Sequence, residues 1–422
     1  MTSTLATLDD NVNRDSSNGF RQSDLPTNPI SALTQWSQVL VGLLVNFMTW
    51  GNPNAYGVFQ LYYSQTTDWS SSQISWIGST QLFLTFVIGP ISGRLADAGY
   101  GQHCIMLGSS LSVLGLTMTS LASQYWHVLL AQGLCVGLGG GMMAMPAAAA
   151  IGAHLKSRRA LAMSVSGCGA GIGAVTYASI VQYSLPKIGF GWAVRCCGLV
   201  SLLCALGANI LTRSPLYVRK AGGLIDWRAF HNRFFLIFCV GSFFIYFSLF
   251  AVMIYINSFA TAILSLTPNY SVRFLLLSNA VSIIARPLSG IIADRFWGEV
   301  RTWTLLCMLL SVTIFIWIGI KDRTSMYVYS ALMGCVNGGA QGLFPSAINS
   351  LSMGSNKLGT RLGMVFAICG MASLTGPPAM GALIDAYKGK YLWAQVCGGT
   401  IMGLGALTVA ISTLFWKSGG KM

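Results

Sequence analysis

Pro90-Ile91-Ser92-Gly93-Arg94-Leu95-Ala96-Asp97 and Pro287-Leu288-Ser289-Gly290-Ile291-Ile292-Ala293-Asp294 share one pattern, P-x-S-G-x-x-A-D. Each closes an apolar run of helical length. A looser echo follows each copy: Gly133, Gly137 and Gly141 before Pro146, then Gly334, Gly338 and Gly342 before Pro345. One unit repeated in the same orientation predicts two parallel halves, related by an axis along the membrane normal.

Working outward, composition sets the solvent. The 422 residues are 54% hydrophobic and 9% charged. A soluble domain carries about 25% charged residues, so lipid is the expected solvent for much of this chain. The 48 glycines suit helices packed closely through small residues.

A membrane span needs about 20 mainly apolar residues. Twelve such segments can be marked, six in residues 36–212 and six in 233–416. Residues 1–35 read as a disordered cytosolic tail with no signal peptide. Residues 213–232 form a basic cytosolic linker, and 417–422 a short cytosolic tail. The expected fold is all-α and integral to the membrane, with twelve transmembrane helices in two six-helix repeats around a central cavity.

The formal net charge is +14. Its placement decides its meaning. With both termini in the cytosol, seventeen of the 25 Lys and Arg residues fall on the inner face and five on the outer. That is the positive-inside bias, and it excludes nucleic acid as the expected partner. The bilayer is one partner; a small molecule, anionic or aromatic, is the other. The chain is expected to be a monomer in the plasma membrane, with the vacuolar membrane as the alternative.

The 11 cysteines show no CxxC or Cys/His spacing, so neither a disulfide framework nor a metal site is expected. No P-loop and no HExxH occurs. The sequence therefore predicts no enzyme activity and no cofactor. A receptor built on the same helices would signal without moving solute.

Arg286 lies inside the eighth apolar segment. An arginine there costs roughly 2.5–3.5 kcal/mol on insertion scales, so it should face a cavity or a partner. Its guanidinium suits a carboxylate or sulfonate. The other reading is a structural arginine, capped by carbonyls or snorkelling to the interface. The 11 acids all lie in tails, loops or helix ends. Asn54, Asn279, Gln81, Tyr246, Asn337 and Gln341 are among the polar residues that could line a cavity. Each could equally bond helix to helix. The glycines at 167, 169, 171 and 173 read as close packing before antiport.

The G-x-x-x-D loops at Gly93–Asp97 and Gly290–Asp294 resemble the signature of the major facilitator superfamily. More narrowly, the chain resembles the fungal branch of its monocarboxylate-porter family. Lys156-Ser157-Arg158-Arg159-Ala160-Leu161-Ala162, Gly189-Phe190-Gly191-Trp192-Ala193-Val194-Arg195, Tyr255-Ile256-Asn257-Ser258-Phe259-Ala260 and Gly359-Thr360-Arg361-Leu362-Gly363-Met364 carry that likeness. The resemblance implies that Asp97 and Asp294 latch the halves. Arg295 would assist, and Arg158 and Arg159 would be gating partners or topology signals. It implies that Arg286 contacts a substrate carboxylate. It also shows departures. The first copy has Ala98 where the second has Arg295. Ser282 stands where lactate porters carry an acid, and Asn54 where they carry a lysine. A proton-coupled lactate mechanism is therefore not expected.

The expected function is alternating-access transport, exporting an organic anion or a fungal secondary metabolite such as a polyketide. Uptake of a monocarboxylate or a riboflavin-like nutrient is the alternative.

Overall fold

The computed structural model describes residues 32–154, 159–212, 227–351 and 358–419. Among these residues there are helices and no strands. Helix satisfies every backbone donor and acceptor within one segment, which a lipid-facing chain requires.

In the first half, α1 (Ala32–Asn54) and α2 (Tyr56–Thr66) meet at Ala55, two residues after Pro53. Helix α3 (Ser71–Leu95) passes through a π-turn (Ala96–Tyr100) into α4 (Gly101–Thr119). A single turn, α5 (Tyr125–Val128), leads through a π-segment (Leu129–Cys135) into α6 (Val136–His154). Helix α7 (Arg159–Leu211) is broken at Gly189, which has φ 77°.

In the second half come α8 (Trp227–Phe230), α9 (Arg233–Ala262) and α10 (Pro268–Ile292). A π-turn (Ala293–Trp297) joins α10 to α11 (Glu299–Ile318). The chain ends in α12 (Arg323–Leu351), α13 (Leu358–Ala386) and α14 (Leu392–Gly419).

Local chemistry sets several starts. Ser70 and Gln73 form a reciprocal capping box on α3, and Asn232 caps α9 by accepting from Phe234 N at 3.0 Å. Helix α1 begins at Ala32, inside the stretch expected as tail. Polar Gln38 does not interrupt it, because its Nε2 donates to Leu211 O of α7 at 2.9 Å.

Eight stretches of the described residues are long and apolar enough to cross a membrane. Two of them, Ser71–Thr119 and Ala162–Leu211, run 49 and 50 residues and break at Gly99 and Gly189. Each has length for two crossings.

The repeated motif does the same work twice. Ser92 Oγ donates to Gly141 O of α6 at 2.7 Å; Ser289 Oγ donates to Gly339 O of α12 at 3.4 Å. Each motif is followed by a glycine with positive φ, Gly99 at 94° and Gly298 at 77°, where the chain turns into the next helix. The glycine ladders pack against the motif helices. A methyl on Gly137 would lie 2.9 Å from Gln81 Cα, and one on Gly338 would lie 2.7 Å from Ser282 Cα.

The halves meet along two seams, α3 with α13 and α7 with α10. On the first, Pro90 faces Gly363 and Phe86 faces Gly370; on the second, Gly171 faces Ile283, Asn279 and Ser282. Gly169 and Gly173 instead face Leu43 and Phe47 of α1, so these glycines do permit close packing.

Candidate solute site between the halves

Arg286 is 7% exposed, two turns before the Asp294 end of α10. Its stem passes Gly342, where a methyl would lie 3.3 Å from Arg286 Cβ. Its Nη2 donates to Gln341 Oε1 of α12 at 3.1 Å, and its Nε has no partner. The ionisable groups near enough to act on its charge are Cys168 of α7 and Tyr246 of α9. No carboxylate pairs with it among the described residues. In the first half, the residue before the motif proline is Gly89. The cation is thus a feature of one copy only.

Gln341 belongs to a polar chain. Its Nε2 donates to Asn337 Oδ1 at 3.2 Å, and Asn337 Nδ2 donates to Met253 Sδ at 3.1 Å. The two amides are four residues apart and share one face of α12. In the sequence both belong with the other polar residues that could line a cavity. The i, i+4 spacing, interleaved with Gly338 and Gly342, was the available signal that they act together.

Beside this chain the space between the halves is filled with rings. Phe86 of α3 lies edge-on to Tyr246 (5.5 Å), Phe250 (6.3 Å) and Phe366 (5.6 Å) from the other half. Phe344 continues the cluster, 4.6 Å from Tyr246 and 5.6 Å from Phe366, and Trp50 lies 5.0 Å from Phe86. Periodicity alone could not distinguish these aromatics from lipid-facing ones.

The other expected residues divide. Asn279 Nδ2 donates to Leu275 O at 3.0 Å, and Ser282 Oγ donates to Asn279 O at 2.7 Å, both within α10. Asn54 is buried, with Oδ1 unpartnered. Gln81 Nε2 donates to Asn52 Oδ1 at 3.0 Å, a helix-to-helix bond. The structure therefore brings Arg286 together with Gln341 and Tyr246, while Asn54 keeps a buried amide oxygen without a partner.

The motif loops differ from each other. Asp97 is half-buried and has a partner, whereas Asp294 and Arg295 are exposed. Gly93 faces Met145 of its own half, while Gly290 faces Ser164 across the second seam. Arg94 crosses the first seam, with Nη2 donating to Thr360 Oγ1 at 3.1 Å. Arg158 lies outside the described residues, and Arg159 enters only as the first residue of α7.

The opposite end of the bundle carries a second set of cross-half contacts. Tyr255 of α9 bonds Ser75 of α3 and donates to Pro377 O of α13 at 3.3 Å. Ser72 N donates to Asp385 Oδ2 at 3.4 Å.

Known proteins share this architecture. The Major Facilitator Superfamily model matches residues 39–360. An MFS-type transporter of Gibberella zeae is 33% identical over 394 residues, 93% of this chain and 89% of its own. The aspyridones efflux protein apdF of Emericella nidulans is 29% identical over 382 residues, 90% of this chain and 77% of its own. Among solved structures, a bacterial homologue of the human lysosomal transporter Spinster, inward-facing and occupied, superposes with a TM-score of 0.65. That match is 16% identical and covers 92% of this chain and 98% of the other, a likeness of fold alone.

Proposed function

Because the chain belongs to the Major Facilitator Superfamily and is a multi-pass membrane transporter, we propose that it exports an aromatic or conjugated organic anion by alternating access. The single observation behind the substrate class is Arg286: a buried guanidinium with an unpartnered Nε, no acidic partner among the described residues, and aromatic rings beside it. Holding an uncompensated cation inside a bilayer is costly. A substrate acid group that binds it offsets that cost on every cycle. The name of the aspyridones efflux relative supports outward movement of a secondary metabolite.

In this reading the twelve helical segments form two six-helix halves, at 36–212 and 233–416, that rock against each other. Both termini face the cytosol, the chain works as a monomer, and the membrane is the plasma membrane. Gly93, Asp97, Gly290, Asp294 and Arg295 steady the cytosolic end, with Arg158 and Arg159 as their basic partners. Asn54, Asn279 and Ser282 would contact solute once the halves part. The monocarboxylate-porter-like branch is part of the same proposal.

The test compares metabolites inside and outside cells that carry or lack the protein. Export predicts that an anionic conjugated compound accumulates in cells lacking it. Arg286→Ala, present at wild-type amounts, should fail to restore its release. Equal release by Arg286→Ala and wild type would remove Arg286 from the site. Faster uptake of a nutrient acid by cells carrying the protein would favour the import alternative.

A further inference from the structure

Gln341 occupies the place where a buried arginine would ordinarily hold a carboxylate. Its Oε1 accepts from Arg286 Nη2 at 3.1 Å. Its orientation is fixed from behind, because Nε2 donates to Asn337 Oδ1 and Asn337 in turn donates to Met253. The amide therefore cannot turn a donor toward the guanidinium without breaking the chain. Arg286 Nε remains unpartnered. The ionisable groups near enough to act on the charge of Arg286 are the Cys168 thiol and the Tyr246 phenol on neighbouring helices. The arginine thus keeps one neutral acceptor and an unpartnered Nε–H.

A neutral amide offers one acceptor oxygen. A carboxylate takes two parallel N–H bonds from a guanidinium, and such charge-assisted bonds are roughly twice as strong as neutral ones. An incoming acid can therefore displace the amide oxygen. It could not displace a resident glutamate at this position, which would bring the same charge and geometry with a far higher local concentration.

We propose that Gln341 is a specificity-determining residue: a neutral, displaceable stand-in that leaves the charge of Arg286 uncompensated and open to anions while solute is absent. This rests on the reading of Arg286 as the anion anchor. It also predicts opposite signs for two substitutions. Gln341→Glu supplies a built-in counter-ion and should weaken anion binding. Gln341→Leu, of similar volume, removes the competitor and should strengthen it. A merely structural glutamine would make both variants worse.

The probes are naphthalene-2-carboxylate and its neutral carboxamide, titrated calorimetrically into the purified full-length chain in detergent. Wild type should bind the acid at least tenfold more tightly than the amide. Gln341→Glu should lower acid affinity at least tenfold, and Gln341→Leu should raise it about threefold or more. If Arg286→Ala loses the acid but Gln341→Glu keeps it, Gln341 is not the determinant and the anchor stands. Loss of the acid in both Gln341 variants likewise excludes Gln341 as the determinant. If Arg286→Ala keeps the acid, or wild type prefers neither probe, the anchor itself falls and this inference with it. Should Gln341→Glu fail to yield monodisperse protein, the sign of the Gln341→Leu effect alone decides.

Discussion

Asp385 Oδ2 accepts from Ser72 N at 3.4 Å, which sets a carboxylate at the end of α13 against the first turn of α3 in the other half. The first turn of a helix carries partial positive charge, so an acid there is favoured by about 0.3–1 kcal/mol. Tyr255 binds the same end of α3 through Ser75 and the Ser71 carbonyl. These groups close the end of the bundle opposite the Asp97 and Asp294 loops.

Removing them should open that end. Asp385→Ala with Tyr255→Phe removes about 1–2 kcal/mol of closure, a shift of roughly 5- to 30-fold in the open-to-closed ratio. Spin labels at Thr66 and Lys390, both exposed, should report a longer distance. An unchanged distance distribution would show that the closure does not depend on these groups.

Gly363 should control the other end. A methyl there would lie 2.7 Å from Pro90 Cβ across the first seam. Gly363→Val is expected to wedge α3 from α13 and favour the state open at the motif loops. Labels at the exposed Tyr100 and Phe296 should then separate, while the Thr66–Lys390 distance stays short. Movement of both pairs together would contradict rocking about a central site.

The ladder glycines should be needed for stability rather than selectivity. Gly338→Val and Gly137→Val each place atoms where only about 2.7–2.9 Å is available. Each should cost about 1–3 kcal/mol, read as a lower melting temperature in detergent. Substitution without loss of melting temperature would mean that the helices part easily at these crossings.

Asp322 offers a pH-dependent cap. It is exposed, and its Oδ2 accepts from Thr324 N at 2.9 Å and Ser325 N at 3.0 Å at the start of α12. The Ser325 backbone and hydroxyl, then the Thr324 backbone, hold its carboxyl below the usual range. A lowered folded-state value means that the cap is present above the unfolded value and is lost as pH falls through the folded one. Protection of the Thr324 and Ser325 amides should therefore drop in acid. Asp322→Ala should abolish that protection at every pH. A wild-type protection factor independent of pH would exclude the carboxylate as the cap.

The sequence by itself determined the lipid-solvated helical class and the doubled motif. Few charges and long apolar runs leave a chain no other way to satisfy its backbone in a bilayer, and Pro90–Asp97 and Pro287–Asp294 are legible letter by letter. It also singled out Arg286, because one cation in an apolar run is conspicuous. Only the tertiary structure decided what Arg286 touches. Gln341 is far from it in the chain, and Phe86 meets Tyr246 and Phe366 across a seam between halves. Helical periodicity gives a residue's face but not the helix it will oppose. The same holds for Asp97 and Asp294, equal in sequence yet one half-buried and the other exposed, since the packing around each loop sets its burial.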